Sequence, residues 1–315
     1  MWLRGYSDLA GELRRRNARS VALQFPEGLK RRAGEIALFL KGEGFSVVVC
    51  GDPCYGACDL ASDVIPHVDA LVHFGHTPVG GEDEKVIFET YPVDFDPDVL
   101  KEAVPLLKQR RVGLVTTAQH VHLVPGMVQK LRELGVVAVT RRGSRGCGEG
   151  QVLGCAFGAA RIPDVEEILF VGTGLFHPTG VRLATKKRVV ALDPLAGTAR
   201  EVDEERFLRQ RFGLVERARS ASSFGLIVST KTGQCRLALA QKLASRCRNA
   251  VVVAMREVDP DELLNLGFPA YVNFACPRLA YDDQSRFPAP VLSPCEFEIL
   301  LGERDFSSYE IDEMP

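Results

Sequence analysis

Val21-Ala22-Leu23-Gln24-Phe25-Pro26-Glu27-Gly28 is a short apolar run that ends in a turn of proline and glycine. After it, Leu29, Ala33, Ile36, Ala37 and Leu40 recur at helical spacing, and Gly42 and Gly44 supply the stop. A second run, Ser46-Val47-Val48-Val49-Cys50, follows at once, so the segment reads as strand, helix, strand. Such runs recur at 70–74, 112–117, 136–140, 167–172, 188–193, 224–230, 250–255 and 270–276. Most are continuously apolar, the pattern of strands buried on both faces of a parallel sheet.

A longer repeat sits above this one. Strand–helix–strand groups begin near Val21, Val112 and Gly225, at intervals of 91 and 113 residues. Their first strands end in Pro26-Glu27-Gly28, Ala118-Gln119-His120 and Lys231-Thr232-Gly233-Gln234. The expected fold is α/β, with three similar Rossmann-like parallel-sheet domains in a pseudo-threefold arrangement over 1–105, 106–215 and 216–315. The first 20 residues read as a helix leading into the first strand, and the acidic tail 305–315 as a surface extension.

The composition, 46% hydrophobic and 25% charged over 315 residues, is that of a globular protein. A net charge of −2 lacks the basic footprint of a general nucleic-acid binder. No apolar run approaches the roughly 20 residues that span a bilayer, and Met1 to Asp8 carries no apolar core of a signal peptide. The expectation is a cytoplasmic protein that binds neither membrane nor nucleic acid.

Against that background nine cysteines are buried thiols, catalytic thiols or metal ligands, not disulfides. The densest group, Cys50-x3-Cys54-x3-Cys58, is one residue longer than the C-x3-C-x2-C loop of standard radical enzymes that use S-adenosylmethionine. Cys50 ends an apolar run and reads as packing, as do Cys235, Cys247 and Cys295. Cys147 falls in a basic loop, Arg141 to Cys147, that suits either an anion or plain solvent. Three cysteines differ. Cys58 precedes what reads as a helix start, which would lower its pKa. Cys155 lies in the glycine-flanked Gly150-Gln151-Val152-Leu153-Gly154-Cys155, and Cys276 precedes Pro277, a residue favoured at the first helical position. Each third of the chain thus offers one cysteine at a strand-to-helix junction, the edge where open α/β sheets bind ligands. Spacing alone does not join them; equivalent places in three repeats would.

The segments Phe25 to Gly28, Tyr55-Gly56-Ala57-Cys58-Asp59, His73-Phe74-Gly75-His76, Thr116 to His120, Gly150 to Cys155, Gly172 to His177, Ser229 to Gln234 and Asn273 to Pro277 occur in order across all three thirds. This ordered set resembles the 2-(3-amino-3-carboxypropyl)histidine synthases of diphthamide biosynthesis, in their compact archaeal, homodimeric form. The resemblance implies a [4Fe–4S] cluster on Cys58, Cys155 and Cys276 with one iron left open to S-adenosylmethionine. It implies an electron donor and cleavage of the sulfonium to a 3-amino-3-carboxypropyl radical. That radical adds to imidazole C2 of a histidine on translation elongation factor 2. Around the cluster, Gly233 and Gln234 are candidates to hold the methionine carboxylate, Lys231 to pair with it, and His76, His120 and His177 to line the same centre.

Three other readings compete. Quinolinate synthase also places one cysteine from each of three α/β domains on a cluster with an open iron. A zinc-stabilised scaffold would want paired C-x2-C knuckles, which the chain lacks. A nicotinamide site would want a third glycine after Gly172-Thr173-Gly174.

Overall fold

The computed structural model describes residues 5–81, 83–146 and 148–314. Helix α1 (Tyr6–Arg15) precedes β1 (Ser20–Gln24), as the sequence leads one to expect. A 3-10 turn over Glu27–Arg32 and then α2 (Ala33–Gly42) lead to β2 (Ser46–Val49), β3 (Ala70–Phe74) and β4 (Val86–Glu89). Gly44 adopts φ +93°, which frees the chain to reverse out of α2. These strands form one parallel sheet in the order β2-β1-β3-β4.

The second sheet takes β5 (Arg111–Thr116), β6 (Val137–Val139), β7 (Glu167–Val171), β8 (Arg188–Asp193) and β9 (Thr198–Glu201) in the order β6-β5-β7-β8-β9. Helices α3 (Val124–Glu133) and α4 (Phe176–Thr185) belong to it, and only the β8–β9 pair is antiparallel. After α5 (Glu205–Ala218), the third sheet sets β10 (Phe224–Ser229), β11 (Ala250–Met255), β12 (Ala270–Asn273) and β13 (Val291–Leu292) in the order β11-β10-β12-β13, all parallel. Its helices are α6 (Leu237–Ala244), α7 (Pro260–Leu266), α8 (Pro277–Tyr281) and α9 (Pro294–Leu300).

The same order, second-first-third-fourth, thus recurs in three mostly parallel sheets. In that order the connections leave the first strand in one direction and the third in the other, opening a crevice at their carboxyl ends. All three crevices contribute to one centre. Gly75 to Thr77 after β3, Thr117 to Gln119 after β5, His177 after β7 and Cys276 after β12 line a single cavity. The three sheets agree with the expected pseudo-threefold arrangement, and one hydrophobic core runs from Phe157, Phe170 and Val189 to Phe224, Val272 and Phe297, joining the second and third sheets.

Several expectations change. The runs at 46–50, 136–140 and 250–255 become the edge strands β2, β6 and β11. Their Val48, Val49, Val137 and Val251 are exposed, not buried on both faces. The tail is no mere surface extension either. Tyr309, Ile311 and Met314 are buried, Arg236 makes two 2.7 Å bonds to the Asp312 carboxylate, and Met314 N donates to the Cys155 carbonyl at 2.8 Å. Asp312 and Glu313 serve as partners for buried Arg236 and for Phe157 N, so part of the charge that reads as solvent-facing in sequence is spent inside.

Candidate metal centre

The three widely separated cysteines meet. Cys58, Cys155 and Cys276 line one cavity of about 220 Å³, together with His76, His177 and Arg278. Each element holds its cysteine differently. Cys276 is the residue before α8, whose first helical position is Pro277, as expected. No α-helix follows Cys58; residues 59–61 are irregular and 62–64 form a turn before a 3-10 turn at Ile65–His67. Cys155 lies inside a tight loop closed by the Leu153–Ala156 bridge. Cys58 and Cys155 both come between the second and third strands of their sheets, whereas Cys276 follows a third strand. The expectation of equivalent strand-to-helix junctions is therefore wrong in its local form. What the three share is the cavity at the sheets' carboxyl ends.

Close contacts between units fix the cysteines. A Cβ on Gly233 would lie 2.5 Å from Cys58 Cβ and 2.6 Å from its Cα, so the turn after β10 packs on the Cys58 backbone without room for a methyl. Gln234 Nε2 donates to Cys58 Sγ at 3.4 Å. Gly154 makes the matching approach in the second unit, where a Cβ would meet Phe176 at 2.8 Å and Arg278 at 3.1 Å. Arg278 in turn stands 5.0 Å over the Phe176 ring.

Burial raises all three thiols, the reverse of the lowering expected for Cys58 from a helix terminus. Burial first, and then the charge of neighbouring cysteines, push Cys155 up to about 11 and Cys276 to about 12. Three thiolates in one buried pocket repel one another, and a positively charged metal group is what allows all three to ionise. The donor set also bears on the kind of group. Among the described residues, the trio whose ligand atoms fall within 4.8 Å of one another is Cys54, His73 and His76, not the three cavity cysteines. The wider spread of Cys58, Cys155 and Cys276 suits a group of several metal atoms better than a single four-coordinate zinc ion.

The other candidates divide. His76 and His177 line the cavity, and burial pushes each down to about 4, so both are neutral imidazoles. His120 is held elsewhere, its Nδ1 2.8 Å from the Val93 carbonyl. Lys231 is buried and donates to Asp59 at 2.9 Å and to Glu257, joining the first and third units. It borders a neighbouring cavity of about 310 Å³ with Tyr55, Gln234, Cys276 and Arg278. Cys50, Cys54 and Cys295 are buried, whereas Cys235 is exposed and is not the packing residue expected of it. Cys147 lies outside the described residues. Sequence reasoning missed His73, which is fully buried and hydrogen-bonded to His76 at 2.9 Å, and the docked C-terminal segment. The pair His73-x2-His76 was the visible signal for the first.

A family described as "Putative diphthamide synthesis protein" matches residues 25–311. The chain belongs to this diphthamide synthesis family. Among its relatives, the 2-(3-amino-3-carboxypropyl)histidine synthase of Pyrococcus horikoshii is 40% identical over 98% of this chain and 92% of that protein. Subunit 1 of the human synthase is 32% identical over 92% of this chain and 69% of its own length. A crystal structure of Dph2 from Pyrococcus horikoshii with a 4Fe–4S cluster matches with a TM-score of 0.93 at 38% identity, covering 100% of this chain and 95% of that one. This family membership separates the chain from quinolinate synthase, which short motifs alone left open.

Proposed function

We propose that this chain is an iron–sulfur transferase for the first step of diphthamide biosynthesis, acting on a histidine of translation elongation factor 2. The observation that carries the reading is the convergence of Cys58, Cys155 and Cys276, one from each third of the chain, on one cavity. It stands beside 40% identity to a protein named for adding the 3-amino-3-carboxypropyl group. Their donor chemistry fits a [4Fe–4S] cluster, with three thiolates for three irons and one iron open. When bound and reduced by an electron donor, the cluster supplies the electron that opens the sulfonium of S-adenosylmethionine to a 3-amino-3-carboxypropyl radical.

The chain's own residues bind and orient. Gly233 lets the third unit close onto Cys58, and Gln234 donates to its sulfur. The same turn offers the methionine carboxylate a polar edge, and neutral His177 forms part of the wall. Lys231 is spent on Asp59 and Glu257, so its work is to hold two units in register around the cavity. Such positioning keeps the sulfonium aligned and excludes water from a reactive carbon radical. The working form is a cytoplasmic homodimer of the archaeal type; no described helix is long and apolar enough to cross a membrane. The domains are taken as 1–105, 106–215 and 216–315, one cysteine from each.

The test is anaerobic reconstitution with iron, sulfide and reductant, then incubation with S-adenosylmethionine and elongation factor 2. The reading expects methylthioadenosine and a factor heavier by one 3-amino-3-carboxypropyl group. A reconstituted protein yielding deoxyadenosine, or neither product, would refute it.

A further inference from the structure

Beside the three cysteines, the cavity wall holds an imidazole whose tautomer is dictated by its neighbours. Gln24 Nε2 donates to the Asp59 carbonyl at 2.7 Å, which fixes its amide so that Oε1 is an acceptor. That oxygen takes the Ala61 N–H at 3.2 Å and lies 2.9 Å from His73 Nδ1. His73 therefore carries its proton on Nδ1, and its Nε2 is a lone pair. His76 Nδ1, 2.9 Å away, must donate to that lone pair. The remaining nitrogen of His76, Nε2, is left unprotonated and has no partner among the described residues, on a ring that lines the cavity with Cys58, Cys155 and Cys276. Gln24 and His73 are both buried, so water does not compete for the chain.

The proposed transfer has a proton to place. A C2–H bond of the target imidazole is replaced by a bond from C2 to the γ-carbon, and the sulfonium leaves as a neutral thioether. The electron that opened the sulfonium is returned to the cluster when the ring regains aromaticity, so the net reaction needs no added oxidant and releases one proton. A base must stand within about 2.6–3.2 Å of that hydrogen or act through one water. We infer that His76 is this catalytic base, its Nε2 taking the C2 proton, and that His73 and Gln24 are positioning residues that hold this nitrogen unprotonated. The inference rests on the function proposed above. A ring whose Nδ1–H is held by a fixed acceptor, with Nε2 facing the reaction, is how histidine bases are oriented. Burial, which pushes His76 down to about 4 and His73 to about 3, keeps both rings neutral before the substrate arrives.

Cys54 offers a rival use of the same rings, because its Sγ and the two imidazoles fall within 4.8 Å of one another and could hold a metal ion. Both nitrogens of His73 are already hydrogen-bonded, Nδ1 to Gln24 and Nε2 to His76, so that ring has none left for such an ion.

His76→Asn separates these cases, since an asparagine amide keeps an N–H for His73 Nε2 and removes only the base. His73→Asn keeps the donor to Gln24 and removes the acceptor that fixes His76. Reconstituted enzymes are compared for iron and sulfide content, for other bound metals, and for modified factor formed per methylthioadenosine. With iron and sulfide at the wild-type level, the ratio should fall about 100-fold in His76→Asn, within the usual span for general-base catalysis. It should fall by a smaller factor in His73→Asn. An unchanged ratio in His76→Asn, or loss of iron as its sole effect, overturns the inference. So does a further metal that disappears in Cys54→Ala. Wild-type protein that forms no methylthioadenosine would overturn the proposed function and this inference with it; normal wild-type turnover with an unaltered variant ratio overturns this inference alone.

Discussion

Gly233→Ala adds a single methyl at the seam between the first and third units, and its cost can be worked from the geometry. The new Cβ would stand 2.5 Å from Cys58 Cβ, 2.6 Å from its Cα and 2.9 Å from its carbonyl oxygen. None of these is the far end of a flexible side chain, so rotamer change brings no relief. Ordinary contact begins near 3.4 Å, so Cys58 and the turn must part by about 1 Å. Overpacking of this kind costs about 1–3 kcal/mol, which a protein of this size survives. The site is less tolerant: a 1 Å displacement from productive geometry can cost about 100-fold in rate. The variant should therefore fold, with a lower urea midpoint, yet retain less iron per chain after anaerobic reconstitution and form methylthioadenosine about 100-fold more slowly. Gly126→Ala is the control, since a Cβ there, within α3, meets nothing within 4 Å. In the first turn of that helix the change should be neutral or stabilise by at most about 0.5–1 kcal/mol. Wild-type iron content and rate in Gly233→Ala would refute the claim that this approach sets Cys58.

Three further predictions concern the frame around the site. Arg211 and Glu296 are buried together, with Nε 2.7 Å from Oε1 and further bonds from Tyr309 and Ser293 N to the same carboxylate. Arg211→Met strands Glu296 and should cost roughly 3–5 kcal/mol in urea unfolding; a loss below about 1 kcal/mol would contradict the pairing. Asp312→Ala removes the carboxylate partner of buried Arg236 and should lower the urea midpoint while loosening the tail, read as faster proteolysis near Tyr309; unchanged cleavage would show the tail is held by other contacts. Asp69 accepts from Arg19 N, Ser20 N and Ser20 Oγ, and these bonds hold its carboxyl down to about 2. The folded value is depressed, so its contribution is complete above the unfolded pKa of about 3.9 and is lost as pH falls through about 2. Asp69→Asn should flatten the acid limb of the stability–pH curve in that window, and an identical limb would contradict it.

The sheets were legible because parallel strands buried on both faces leave mostly apolar runs, as in Val21 to Phe25 and 70–74, each interrupted once, by Gln24 and by His73. Strands β4, β9 and β13 were not, being short or partly exposed, and β9 pairs antiparallel at an edge. The three cavity cysteines could be picked out because glycine, proline and ordered family motifs flank them. Their local geometry could not, because Cys58 and Cys155 sit in irregular loops whose shape is set by contacts with other units. Gly233 on Cys58 and Arg278 on Gly154 are such contacts. Periodicity is blind to them. The tail misled for a related reason: acidity usually marks a solvated segment, but here Asp312 answers Arg236, and Glu313 accepts from Phe157 N at 2.8 Å. Cys54 and His73 were hidden in the same way, since only the packing of β3 against the loop after β2 brings the thiol to the ring pair.

The central claim is that one cysteine from each sheet holds a single cluster. Its most direct test is iron and acid-labile sulfide per chain in Cys58→Ala, Cys155→Ala and Cys276→Ala, purified without oxygen beside Cys50→Ala and Cys235→Ala. The account predicts that each of the first three loses the cluster and methylthioadenosine formation together, while the last two keep both. Loss of the cluster in Cys50→Ala, with full iron in Cys155→Ala and Cys276→Ala, would place it on the local C-x3-C-x3-C loop and contradict the account.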